Sequence, residues 1–292
     1  MAELKIMTKP AGYIEDHRVL DTRQFKIAVR RLADSLGYGT DRSPFVGSGI
    51  DYVQSRTYEP GDAVKTIDWR ITARTGKPHV KQYETPRRVP VWLLVDTSAS
   101  MTIGMGKTNK YETAVFLAGG IALSSLDRMS PVGVLGVGER RLRVPPTLAR
   151  PQIMGWLHQL RRFEFGERTR LSAELSQLSA QLPERSLIFV LSDLHDADAV
   201  AMLKRVAARH ETVVLQLRDP ASRPMPGTGF LRAKEAETGR AFISHRHSAP
   251  DLMHEDLRRA GVDHLLIDVD VPYVGRLRQF LFSRGQLGRG GR

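Results

Sequence analysis

From Val89 onward the chain alternates short apolar runs with helix-length segments, and this rhythm most tightly limits the folds open to it. Strands are predicted near 90–95, 131–137, 186–191, 211–217 and 262–267. Helices are predicted near 110–127, 148–162, 170–181, 196–209, 250–260 and 273–282. Strand segments such as VPVWLLV and SLIFVL are continuously apolar rather than alternating, which suits strands buried on both faces. The alternation therefore predicts an α/β fold, with a mostly parallel sheet covered by helices on both faces. Arg141 to Val144 adds a short hairpin partner to the second strand.

The first of these strands, Val89 to Val95, breaks abruptly into DTSASM, so Asp96, Ser98 and Ser100 alternate on the turn leaving its C-terminal end. Open α/β sheets bind ligands in the crevice outside the carboxyl ends of their strands. A D-x-S-x-S turn at such an edge offers several hard oxygens to one small cation. Mg²⁺ or Mn²⁺ is the expected ion, since both accept oxygen ligands, few carboxylates and retained water. The run SLIFVL also ends in an acid, Ser192-Asp193, and Thr169 lies in the loop GERTR before a helix. Parallel neighbouring strands would bring these together as one oxygen cup of Asp96, Ser98, Ser100, Thr169 and Asp193. Such a cup leaves a position for a carboxylate from outside. The competing reading is that each Asp or Ser merely caps the helix that follows it.

Residues 1–88 read as an N-terminal helix and accessory lobe, 89–283 as the α/β domain and 284–292 as a flexible basic tail. Within the lobe, Thr22 to Gly37 has apolar residues at helical spacing, and IDYVQSRTY and His79 to Tyr83 read as strands. Glu59-Pro60-Gly61-Asp62 has the composition of a tight turn, and Ile67 to Arg70 that of one helical turn. Asp68 is expected to pair with Arg56, Arg70 or Arg74, and Trp69 to anchor the lobe on the sheet as a core residue. Asp219 to Gly239, rich in Pro and Gly, is predicted to be a long surface loop.

With no cysteine in 292 residues, disulfides, thiolate zinc sites and cysteine nucleophiles are excluded. No run approaches the roughly 20 apolar residues of a membrane-spanning helix. The N-terminus, MAELKIMTKPAGYIEDH, is not read as a signal peptide, so the expected location is cytoplasmic, with peripheral membrane association left open. The net charge of +12 raises nucleic-acid binding as a candidate function. Against it, the basic residues are scattered and aromatics make up only 7% of the chain, which is poor for base stacking.

The residues also carry a resemblance. DTSASM after an apolar strand resembles the metal-ion-dependent adhesion site of von Willebrand factor type A domains. The preceding segment, SRTYEPGDAVKTIDWRITARTGKPHVKQYETP, resembles the signature of the DUF58 family of bacterial proteins. The matching residues are Arg56, Tyr58, Pro60, Gly61, Asp62, Ile67, Asp68, Trp69, Ala73, Arg74 and Lys81. Lys65 stands where the family often has Arg, and Gly166-Glu167-Arg168-Thr169 departs from its small, glycine-rich approach to the threonine. The resemblance implies a Rossmann-like von Willebrand factor type A domain. It also implies partnership with a MoxR-type AAA+ ATPase in chaperone-like assembly or activation of client proteins. The leading functional reading is then a noncatalytic domain whose ion, held by few carboxylates, completes its shell with an acidic residue of a partner.

Other chemistry is weighed on the residues. Gly106-Lys107-Thr108 imitates the end of a P-loop, but the glycine required five positions earlier is Met101. Lys107 or Lys110 is instead expected to begin the next helix or to rim the metal site. A metal-dependent phosphohydrolase could use Asp96 as nucleophile, but the position two residues on is Ser98, a poor proton donor. His195 reads as a rim residue. His245, His247 and His254 form a histidine cluster read as structural, with zinc binding as the alternative.

Overall fold

The computed structural model describes residues 11–13, 31, 51–62, 64–84, 89–102, 109–140, 142–164, 166–220, 230–234, 241–245 and 252–286. Six strands form the central sheet: β4 Val91–Val95, β5 Val132–Gly136, β6 Arg143–Thr147, β8 Leu187–Ser192, β9 Glu211–Arg218 and β12 Asp263–Asp268. Their spatial order is β12-β9-β8-β4-β5-β6, and all neighbours are parallel except β5 and β6. The chain starts in the middle, winds outward through β5 and β6, then crosses to β8 and winds the other way. That is the doubly wound order, and its switch point falls between β4 and β8.

The helices sort onto the two faces by the alternation of strand residues. Val91, Leu93 and Val95 pack with α3 Lys110–Asp127, α4 Arg150–Leu160 and α8 Val274–Gln286. Trp92 and Leu94 pack with α5 Leu171–Gln181, α6 Ala199–Ala207 and α7 Leu252–Arg259. β4 is buried at every position, and truncating a side chain such as Leu93 to Ala would cost about 2–5 kcal/mol. α3 starts at a capping box in which Asn109 and Glu112 satisfy each other's backbone N–H groups. No helix among the described residues is long and apolar enough to cross a membrane.

Ahead of the sheet, β2 Asp51–Thr57 and β3 His79–Glu84 make an antiparallel hairpin lobe carrying α1 Trp69–Thr75. The turn at residues 59–62 closes with the Asp62 N–H donating to the Glu59 carbonyl at 3.1 Å, and Gly61 takes the positive φ of 112° that the turn requires. Two expectations for this lobe are corrected. Among the described residues Asp68 makes no ion pair with an arginine; it caps α1 through the Arg70 and Ile71 N–H groups and accepts the Ser55 hydroxyl at 2.9 Å. Trp69 is no core anchor, because that cap turns the first helical residue outward and leaves it 67% exposed.

Three further differences concern boundaries. β1 Ala11–Tyr13 pairs with β7 Arg162–Glu164, so part of the N-terminal segment joins the large domain. α8 continues to Gln286, and Arg284 forms ion pairs with Asp263 and Glu211 instead of starting a tail. The stretch predicted as a long loop contains β10 Phe230–Lys234, paired with β11 Ala241–His245. The helix expected at 22–37 lies outside the described residues apart from Arg31, as does most of the basic tail.

Candidate metal centre

The site is built from two strand tips that end level. β4 and β8 run parallel with Val95 abreast of Leu191, and the Asp96 N–H donates to the Leu191 carbonyl at 2.9 Å. Asp96 therefore leaves β4 beside Ser192, and Asp193 follows on the same edge of the sheet.

The Asp96 carboxylate organises the first tip. Its Oδ1 accepts the Ser98 N–H at 3.0 Å, and its Oδ2 accepts the Ser192 hydroxyl at 2.5 Å. The Thr169 hydroxyl approaches the same Oδ2 at 3.5 Å, and the Ser98 and Ser100 hydroxyls lie 3.1 Å apart. Asp96, Ser98, Ser100 and Thr169 thus gather around one buried carboxylate. The helix-capping reading survives in part, since Asp96 does hold the turn that opens the short helix α2 Ala99–Thr102.

Asp193 sits in a different setting. Its Oδ2 accepts the Lys110 ammonium at 2.6 Å, with His195 Nε2 at 3.5 Å on the rim. Its Oδ1 is buried and meets no hydrogen-bond partner among the described residues. Asp193 does not cap the helix that follows it, since the N-cap of α6 is Asp198, with no side-chain cap hydrogen bond; Asp196 accepts the Ser172 N–H at 2.8 Å at the start of α5. Lys110 does more than rim the site, because it is buried on the acid itself.

Burial pushes the Asp96 carboxyl up to about 7, and the Asp193 charge adds to that rise; the Ser192 and Ser98 donors oppose it. An arriving divalent cation reverses this balance, since it favours the ionised carboxylate. Among the described residues no group of three or more His, Asp or Glu could hold a metal ion. Any cation here must therefore rely on hydroxyl oxygens and water as well as carboxylate. An orphaned Asp193 oxygen, a desolvated Asp96 and three nearby hydroxyls fit a hard ion of the Mg²⁺ class and suit a thiophilic one poorly.

Sequence reasoning missed what holds the threonine loop. Glu167, 2% exposed, accepts the Thr97 hydroxyl at 2.9 Å and the Arg140 N–H at 2.6 Å on Oε1, and Arg140 Nε at 2.8 Å on Oε2. Its carbonyl accepts the Ala99 N–H at 2.7 Å, tying the loop to the D-x-S-x-S turn. Arg140 also donates to Tyr111 OH at 3.4 Å, and Tyr111 donates to the Leu160 carbonyl at 2.6 Å. Gly138 leaves room for this network, since a Cβ there would lie 2.2 Å from Thr97 Oγ1 and 2.3 Å from Glu167 Oε1. The only clue in the sequence is an acid two positions before Thr169, where the DUF58 resemblance leads one to expect small residues. Of the histidine cluster, His245 ends β11, His247 lies outside the described residues, and His254 faces His264 with 2.9 Å between Nδ1 atoms.

The chain is 28% identical over 259 residues to the uncharacterized proteins Rv1480 of Mycobacterium tuberculosis and Mb1516 of Mycobacterium bovis, covering 87% of this chain and 81% of each relative. Two solved structures overlap 68% of this chain and 99% of their own. One is the conserved hypothetical protein BatB of Bacteroides thetaiotaomicron, with 17% identity and a TM-score of 0.46. The other is an aerotolerance-related membrane protein of Bacteroides fragilis, with 18% identity and a TM-score of 0.47. Residues 54–265, well over half of the chain, match the family described as Protein of unknown function DUF58. The chain belongs to the DUF58 family.

Proposed function

We propose that this chain is a noncatalytic, metal-dependent protein-binding module. In this reading a von Willebrand factor type A-like domain holds Mg²⁺ or Mn²⁺ with Asp96, Ser98, Ser100 and Thr169, and Asp193 contributes through Oδ1. The observation that carries the reading is the gathering of these oxygens at the sheet's switch point, beside a buried carboxylate oxygen with no hydrogen bond among the described residues. The ion would supply an electrostatic anchor: held by few carboxylates, it keeps net positive charge and draws in a Glu or Asp from another protein. Lys110 already neutralises Asp193, so the site's surplus charge with a divalent ion is positive. The proposed partner is a MoxR-type AAA+ ATPase, and the proposed role is chaperone-like assembly or activation of client proteins in the cytoplasm. The signature residues Arg56 to Lys81, and membership of DUF58, support that assignment.

Calorimetry with Mn²⁺ and with the ATPase, comparing the parent and Asp96→Ala, tests this function. The variant should lose at least about 100-fold in ion affinity, equivalent to about 2.7 kcal/mol, and lose partner binding, while melting as a folded protein. Partner affinity unchanged both by the substitution and by EDTA would refute it. Turnover of phosphoesters that needs both metal and Asp96 would transfer the site to a phosphohydrolase.

A further inference from the structure

Away from the cation cup, the hairpin lobe presents an aromatic and four cations to solvent. Trp69 is 67% exposed and Val64, in the 3₁₀ turn just before α1, is 65% exposed. At about 100° per residue, Trp69, Arg70, Ala73 and Arg74 share one arc of α1, and Ile71, Thr72 and Thr75 take the opposite arc. The inner arc is fixed on the hairpin, since Thr72 Oγ1 accepts the His79 N–H at 3.0 Å. The outer arc is therefore held rigidly, with the exposed Lys65 and Lys77 flanking it.

The local charges do not cancel. Asp62 is consumed by a two-pronged pair with Arg56, at 2.8 and 2.7 Å, and Asp68 by the helix cap and Ser55. Among the described residues the side chains of Lys65, Arg70, Arg74 and Lys77 have no ion pair or hydrogen bond. Four uncompensated cations beside a lone exposed tryptophan call for an anionic partner with an apolar element. Polyphosphate would satisfy the charges but leave Trp69 and Val64 in water. Tryptophan and arginine are also the residues that dominate protein–protein hot spots.

We propose that α1 and the turn before it form a docking surface for an acidic protein segment that inserts an apolar side chain against Trp69. This surface is separate from the proposed metal function and stands or falls without it. Tryptophan fluorescence reads it directly, because Trp92 and Trp156 are buried and Trp69 is the third of the chain's three tryptophans. In the full chain, acrylamide should quench a red-shifted component that disappears in Trp69→Phe. A synthetic peptide alternating Glu with Phe should shift that emission to the blue and shield it from acrylamide. Polyglutamate of equal charge should bind at least tenfold more weakly. Trp69→Ala should cost the Glu/Phe peptide about tenfold in Kd, and the combined Arg70→Glu and Arg74→Glu change about 100-fold, with unchanged melting temperatures. Three results would overturn the proposal: emission already blue-shifted and shielded in the free protein, no loss of peptide affinity in Trp69→Ala, or tighter binding to single-stranded RNA or to phosphatidylserine vesicles than to the peptide.

Discussion

The tips of β4 and β8 each carry one aspartate, the same group in opposite electrostatic settings. Asp96 is surrounded by hydroxyls and a backbone N–H and meets no cation among the described residues, and burial drives it toward its neutral form. Asp193 holds the Lys110 ammonium, and the pair is buried together. The difference divides the labour between them. Asp96 is the carboxylate that gains most from an added ion, and Asp193 the one whose charge the protein has already balanced. A buried charge pair is costly to break from one side, so Lys110 fixes Asp193 in place at the edge of the cup.

The largest test of that division removes the balancing charge. Lys110→Met should lower stability by about 3–5 kcal/mol in a thermal or urea melt, because Asp193 is left buried and uncompensated. Mn²⁺ should restore part of the loss in the variant and add less to the parent. A melt within about 0.5 kcal/mol of the parent would mean that Asp193 and Lys110 do not depend on each other.

Next comes the pH dependence of the Asp96 tip. Its folded pKa lies above the ordinary 3.8, at about 7, so the metal-free folded state holds an extra proton between roughly pH 4 and 7. This group's contribution to metal-free stability should therefore fall as pH rises through that window and level off above it. Mn²⁺ must displace the same proton, so its affinity should rise about tenfold per pH unit up to about pH 7 and then flatten. Calorimetry at a series of pH values reads the slope, and an affinity flat from pH 5 to 7 would assign the ion elsewhere.

A smaller effect concerns what supports both tips. Gly138→Ala should cost about 1–3 kcal/mol in a denaturant melt, since its Cβ collides with Thr97 and the buried Glu167. Gly155→Ala in α4 meets nothing within 4 Å and should instead stabilise by roughly 0.5–1 kcal/mol. Equal effects at the two glycines would remove the claim that Glu167 packs tightly under the threonine loop.

Much of this architecture was legible before the structure. Runs such as VWLLV and LIFVL, short and rich in β-branched and large apolar residues, read as buried strands, and the amphipathic segments between them locate the helices within a few residues. The D-x-S-x-S turn was legible too, because its three oxygens are local in sequence and the strand end is abrupt. The rest depends on contacts between distant positions. Lys110 and Asp193 are 83 residues apart, and nothing local marks that lysine as buried. Glu167 reads as a loop acid until Arg140 and Thr97 close over it. Trp69 misleads for the opposite reason: a tryptophan two residues from both Ile67 and Ile71 suggests core, yet the Asp68 cap sets its angle and points it outward.

The most direct test of the whole account is anomalous scattering from a crystal of this protein soaked in Mn²⁺. A peak within coordination distance of Asp96, Ser98 and Ser100 oxygens, with Asp193 beside it and Lys110 still on its Oδ2, is the predicted result. Occupied Mn²⁺ positions elsewhere, with none at the β4 tip, would contradict it.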